Sequence, residues 1–301
     1  MNAPLRLVSS TAIAIALITT SLLGYTPTIG LAQPPTSRAK QTTTLALKYV
    51  PPKPPRQGIP STRRGAASRG CLAVMKTWAD PELNNLMALV PETQEKPSSA
   101  TKVWAQTVSD RPTFWFYVPY APNSIASLEF VLNDDQDNTL YKGQVAIPST
   151  PGLVSVQLPP TATLKPDQLY NWFFKVKGKS SACTQAPSST NSSDPLGEKF
   201  DALTPNPMGD NLPTSVHVEG WLQRILPPAN LEQRLKHLSP QQQAAFYAEN
   251  GFWYDAFNIL AQEKLGRPND SGLNGDWQTL FKQGGLEKFA TQPLLKCCSA
   301  K

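Results

Sequence analysis

The sequence predicts a mainly β chain: an antiparallel β-sandwich followed by a short helical segment. Three observations predict it. Between Thr113 and Gly178, short runs rich in aromatic and β-branched residues alternate with clusters of Pro, Asn, Asp and Gly, the pattern of antiparallel strands. Past Pro228 the apolar period lengthens, with Leu231, Leu235 and Leu238 at i, i+4 and i+7. Before residue 71 neither period is present. The chain divides accordingly into a signal peptide (1–32), a basic Pro-rich disordered arm (33–70), a sandwich domain (71–222) and a helical C-terminal segment (223–301).

The N-terminal 32 residues carry one charge, Arg6, an apolar run of 12 residues (Ala12–Leu23), and small residues in Gly30-Leu31-Ala32 at the −3 and −1 positions of a cleavage site after Ala32. The run is shorter than the ~20 residues that span a bilayer, so export with cleavage is expected, and no transmembrane segment afterwards. From Gln33 to Ala79 there are nine Lys or Arg and no Asp or Glu. From Asp80 onward, 18 basic residues face 22 acidic ones, a net charge of −4. Pro34, Pro35, Pro51, Pro52, Pro54, Pro55 and Pro60 predict an extended, largely unstructured arm. Such a tail is either a solvated linker or a ligand for acidic polymers. Nucleic acid is not expected as a partner, since no aromatic–basic groove for stacked bases is visible.

Within the sandwich, strands are expected at Thr113–Pro119, Ser127–Leu132, Thr139–Ile147, Leu153–Leu158 and Leu169–Gly178. Leu86–Val90 and Thr101–Thr107 add edge strands, and Val216–Trp221 returns after a Ser/Pro/Asn-rich excursion at 180–214. Phe114, Phe116 and Val118 alternate with Trp115 and Tyr117, so this strand is central and covered on both faces. Asn133-Asp-Asp-Gln-Asp-Asn138 predicts a tight hairpin turn. The run Leu164-Lys-Pro-Asp-Gln-Leu-Tyr170, followed by Trp172, Phe174 and Val176, resembles the tyrosine corner of immunoglobulin-like and fibronectin type III sandwiches.

Four cysteines, Cys71, Cys183, Cys297 and Cys298, allow three pairings in an oxidising compartment. A Cys71–Cys183 disulfide would tie the end of the arm to the last strand of the block. Cys297 and Cys298 are adjacent, and a vicinal bridge, an intermolecular bridge or free thiols remain open for them.

In the helical segment, Ser239-Pro240-Gln-Gln242 supplies an N-cap, an N1 proline and a capping-box Gln. That helix stops at Gly251, a third runs from Phe252 to Leu265, and a fourth covers Asp276–Gln283. The spacing of Ala244, Tyr247, Gly251, Ala256, Leu260 and Pro268 resembles one tetratricopeptide repeat, although the usual first-helix Trp and Leu are replaced by Pro240 and Gln243. A single repeat cannot bury its own face, so the hairpin must pack on another part of the chain or on a partner.

These pieces together resemble a cyanobacterial exported family known only as domain of unknown function 928. The resemblance rests on Thr62-Arg-Arg-Gly, Ser68-Arg-Gly-Cys71, Pro112-Thr-Phe-Trp-Phe-Tyr-Val-Pro-Tyr120, Tyr170-Asn-Trp172, Glu219-Gly-Trp221, Gly251-Phe-Trp-Tyr-Asp-Ala256 and the Cys297-Cys298 ending. It covers nearly all of the mature chain and implies no activity, cofactor or catalytic residue.

Candidate chemistry is sparse. Asn133–Asn138 has the alternating oxygens of a calcium loop but lacks the central Gly and distal Glu, so a turn is the better reading. His217 and His237 stand in no catalytic motif, and no nucleophile elbow, zinc-protease helix or phosphate loop occurs. No cofactor or metal is expected. Trp115, Tyr117, Trp221 and Trp253 are the candidate partner-binding residues; the first three would make a sugar-stacking platform if exposed, and core if not. The expected function is a non-enzymatic protein-binding or scaffolding module of the cell envelope, periplasm or exterior, with another envelope or extracellular protein as partner. Carbohydrate binding is the second expectation, with envelope or extracellular polysaccharide as the ligand, and an enzyme with dispersed catalytic residues the third.

Overall fold

Nine strands precede four helices in a computed structural model that describes residues 46–55, 61–65, 79–94, 101–179 and 215–296. The strands are β1 (Met87–Ala88), β2 (Glu92–Gln94), β3 (Thr101–Thr107), β4 (Thr113–Val118), β5 (Ile125–Asp134), β6 (Thr139–Val145), β7 (Gly152–Gln157), β8 (Leu169–Gly178) and β9 (Ser215–Arg224). The helices are α1 (Leu231–Leu235), α2 (Pro240–Glu249), α3 (Trp253–Gly266) and α4 (Ser271–Gln283). The expected signal peptide, all four cysteines and the whole 180–214 excursion lie outside the described residues.

Two sheets form the sandwich, one ordered β1-β4-β7 and the other β2-β3-β9-β8-β5-β6. Pairing is antiparallel throughout except between β3 and β9, which run parallel with Trp104 opposite Trp221. β4 is buried along its whole length, as its two apolar faces require. One face looks into the sandwich, where Phe116 stacks on Phe174 at 4.1 Å and Phe114 meets Phe130 at 4.7 Å. The other face looks at the helices, with Trp115 against Phe257 and Tyr117 against Phe289. The helical segment is therefore a third layer on the three-stranded sheet.

Local chemistry places the turns. The Asp134 carboxylate accepts the N–H groups of Gln136 and Asn138 at 2.9 Å, and Asp137 takes φ 63°, closing the β5–β6 hairpin. At the start of β8 the Tyr170 hydroxyl accepts the Lys165 N–H at 2.7 Å, and Tyr170, Trp172, Phe174 and Val176 share the buried face. Gly220 of β9 lies opposite Trp172. A Cβ there would come within 2.4 Å of the indole and 2.8 Å of the Val103 carbonyl, so only glycine lets the ring lie flat across the sheet.

The capping box of α2 forms in both directions, Ser239 to the Gln242 N–H and the Gln242 side chain back to the Ser239 N–H. α4 begins at Ser271, five residues before the expected Asp276, because Asp270 caps it by accepting the Leu273 N–H. Gly266 is the last residue of α3 rather than the residue beyond it, and Arg267 follows as the cap.

The arm is the main departure. Residues 46–55 and 61–65 are not a solvated tail: Leu47, Tyr49 and Ser61 are buried. Ser61, Thr62, Arg63 and Gly65 bond backbone to backbone with Thr101, Glu219, Ala88 and Leu86, bridging strands of both sheets. Composition reported stiffness and charge there; the few buried residues in each short stretch are too few to show as a period.

Candidate functional site

The four aromatic candidates are not a surface platform. Trp115, Tyr117 and Trp253 are 3%, 0% and 1% exposed. Their polar tips are satisfied inside: the Trp115 indole faces Asn258 Oδ1 at 3.4 Å, the Tyr117 hydroxyl donates to the Leu83 carbonyl at 3.0 Å, and the Trp253 indole donates to the Leu89 carbonyl at 2.9 Å. Trp221 is half-buried on the outer face of the six-stranded sheet, beside Trp104. The structure thus places Trp115 and Tyr117 on one buried face and Trp221 on a different sheet, so the three do not line one sugar site. His217 on β9 and His237 after α1 are both exposed, on separate elements. Asp134 spends its oxygens on the hairpin turn.

What the helices build instead is a groove. Just past the end of α2, Gly251 takes a φ of +82° and turns the chain into α3. Across the ends of α2, α3 and α4 lies the extended stretch Leu47-Lys-Tyr-Val50. The side-chain amide of Gln283, at the end of α4, accepts the Tyr49 N–H and donates to the Leu47 carbonyl at 3.4 Å. The Val50 N–H donates to the Ala248 carbonyl at 3.1 Å. Tyr49 packs edge-on against Trp253 at 4.9 Å, and burial pushes its phenol well above the ordinary range. Pro52 then passes over Gly251, where a Cβ would sit 3.0 Å from Pro52 Cδ and 3.1 Å from the Val50 carbonyl oxygen.

Arg63 clamps the same, C-terminal end of α4. Its guanidinium donates to the carbonyls of Gly284 and Gly285 at 2.8 and 2.9 Å, which α4 leaves without helical partners, and pairs with Glu92 at 3.0 Å. Its side chain is only 14% exposed, so these bonds to a charged donor outweigh the solvent-screened surface pairs around them. Those pairs are Arg64–Glu82, Lys288–Glu82 and Lys288–Asp80. Two residues that sequence reasoning counted as free positive charge are therefore structural. The Thr62-Arg-Arg-Gly motif was the available signal.

Asp255 in the first turn of α3 is half-buried and accepts the Val108 N–H at 3.1 Å. Burial pushes its carboxyl from 3.8 up to about 6, opposed by hydrogen bonds from the Thr107 hydroxyl and the N–H groups of Val108 and Ser109. Every partner is a fixed donor, so the group locks α3 to the β3–β4 turn. A cleft of about 620 Å³ opens between α3, α4 and the 290–296 stretch. Its Lys264 ammonium is held by the Pro268 carbonyl and Asn274, and its Trp277 indole by the Ala290 carbonyl at 2.9 Å. Among the described residues no cluster of three His, Cys, Asp or Glu side chains could hold a metal ion, and no helix is long and apolar enough to cross a membrane.

The family described as Domain of Unknown Function (DUF928) matches residues 64–195 and 207–294, well over half of the chain. The chain belongs to this family. The match begins at Arg64, so in this DUF928 protein the groove residues Ala248, Trp253 and Gln283 fall inside the matched region and Leu47–Val50 falls before it. No curated protein and no solved structure matches the chain.

Proposed function

We propose that this protein is an exported, non-enzymatic protein-binding or scaffolding module of the cell envelope. The observation that carries the reading is the groove across α2, α3 and α4, which holds an extended stretch of polypeptide by its backbone and by two alternate side chains. The packing of Trp115, Tyr117 and Trp253 in the interior supports scaffolding over sugar stacking. Capture from the host envelope on immobilised full-length protein tests it, with partners identified by mass spectrometry and rebound as purified proteins. A purified envelope protein that binds the wild type and is lost with Gln283→Ala supports the reading; binders indifferent to every groove substitution overturn it. Export carries its own test: intact mass from the native host begins at or near Gln33.

The sandwich is of the immunoglobulin-like kind in this proposal. Support comes from the order β1-β4-β7 against β9-β8-β5-β6, which corresponds to A-B-E against G-F-C-C′ with β3 and β2 added beyond β9, and from the Tyr170 hydroxyl bonded back to Lys165 at the start of the F-like strand. The α2–α3 pair is read as one tetratricopeptide-like hairpin, supported by Ala244, Ala248 and Ala256 at its fully buried contact.

A second reading, acidic polysaccharide, moves to the outer face of the six-stranded sheet. There Lys142, Lys175, Lys177 and His217 are exposed around a half-buried Phe173, with Lys175 5.6 Å from its ring. Binding of an acidic polysaccharide that disappears in Lys175→Glu/Lys177→Glu would favour it.

A further inference from the structure

We propose that the α2–α4 groove is a recognition site for extended peptides with an aliphatic residue and a tyrosine two positions apart, and that Leu47–Val50 is its built-in, exchangeable occupant. This rests on the protein-binding reading above and names the ligand chemistry of that site.

The contacts are those by which a folded domain reads a foreign strand. The single carboxamide of Gln283 bonds both the Tyr49 N–H and the Leu47 carbonyl, as the edge of a neighbouring strand would, and this part of the recognition is blind to side chains. Selection comes from alternation: Leu47 and Tyr49 are buried, whereas Ala46, Lys48 and Val50 are exposed. The tyrosine pocket is walled by Trp253, whose indole is fixed by the Leu89 carbonyl and whose six-membered ring occupies the space beside Gly284. A Cβ at Gly284 would fall 2.4 Å from that ring, so the wall is set by the body of the protein and not by the occupant.

The occupant is held by little. Two side chains and a few backbone bonds oppose the ordering of the whole stretch. The Pro51-Pro52-Lys53-Pro54-Pro55 run that follows reaches Lys102 of β3, whose ammonium contacts the Pro55 carbonyl at 3.4 Å. That stiff connection keeps the occupant at an effective concentration in the millimolar range, enough to exclude a weak competitor in trans. The family match begins at Arg64, so it includes the groove residues and leaves the occupant before it.

The test uses the full chain with a specific protease site inserted between Pro55 and Ser61. The protein is folded first, then cut, and mixed with a fluorescent synthetic peptide of residues 44–53. The cut protein should take up the peptide at least 10-fold more tightly than the uncut one, as anisotropy reads it. Peptides carrying Leu47→Ala or Tyr49→Ala should lose that binding, and so should cut protein bearing Gln283→Ala. Uncut full-length Leu47→Ala/Tyr49→Ala, with its groove opened without a cut, should bind the wild-type peptide like the cut protein. Equal binding before and after the cut overturns the proposal. So does loss of the folded state on cutting, which would make the stretch a core element. Exchange without any envelope partner would leave the groove purely intramolecular; a partner captured without exchange would place binding elsewhere on the protein.

Discussion

Tyr254→Phe removes one oxygen from the junction of the helices and the sandwich. Tyr254 on α3 reaches β8, where its hydroxyl accepts the Trp172 indole N–H at 2.9 Å and lies 3.5 Å from the Trp221 carbonyl. Trp172 is 0% exposed, so the variant leaves a dry indole N–H without its acceptor. The apolar ring is retained, including its contact with Phe114 at 5.3 Å, so the area term is near zero. The expected loss is the desolvation penalty of the orphaned donor, about 1–3 kcal/mol. For a unit of this size that corresponds to a fall in Tm of roughly 2–10 °C. Thermal unfolding followed by far-UV circular dichroism and by near-UV tryptophan signals should give coincident transitions, both shifted. A shift below about 1 °C would show that the bond contributes nothing. A helical signal that moves while the tryptophan signal stays would refute the view that the helical layer and the sandwich unfold as one.

Three further outcomes follow from the same contacts. Asp255 is protonated more readily in the folded chain than in the unfolded one, so its contribution is fully present below pH 3.8 and is lost as pH rises through about 6. Denaturant titrations across that window should show the wild type losing about 1–3 kcal/mol relative to Asp255→Asn, allowing for the partial exposure of the carboxyl; parallel curves would contradict this. Gly220→Ala drives a methyl into the Trp172 ring and the Val103 carbonyl and should cost about 1–3 kcal/mol or abolish folding, while Gly275→Ala, with open space at its Cβ, should be neutral or slightly stabilising. Ala256→Leu overpacks the fully buried α2–α3 contact and should cost about 1–3 kcal/mol in the global transition, measured by denaturant unfolding.

Several features were legible in the sequence because they are local. Alternation along Thr113–Val118 reports two apolar faces whatever covers them, and the structure covers one with a sheet and the other with helices. The Asn133–Asn138 turn, the Tyr170 bond and the Ser239–Gln242 capping box need partners only a few residues away, so spacing alone locates them. Only tertiary structure decided the rest. Nothing in β3 or β9 says that they pair in parallel, since their partners lie more than a hundred residues apart. Arg63 looks like any other charge of a basic tail until α4 supplies bare carbonyls and β2 supplies Glu92. Leu47 and Tyr49 carry no period and no motif, and their burial exists only because Gln283, Ala248 and Trp253 converge from three helices. Periodicity states which side of an element must be covered; which element covers it depends on shape and donor geometry that form only when distant segments meet.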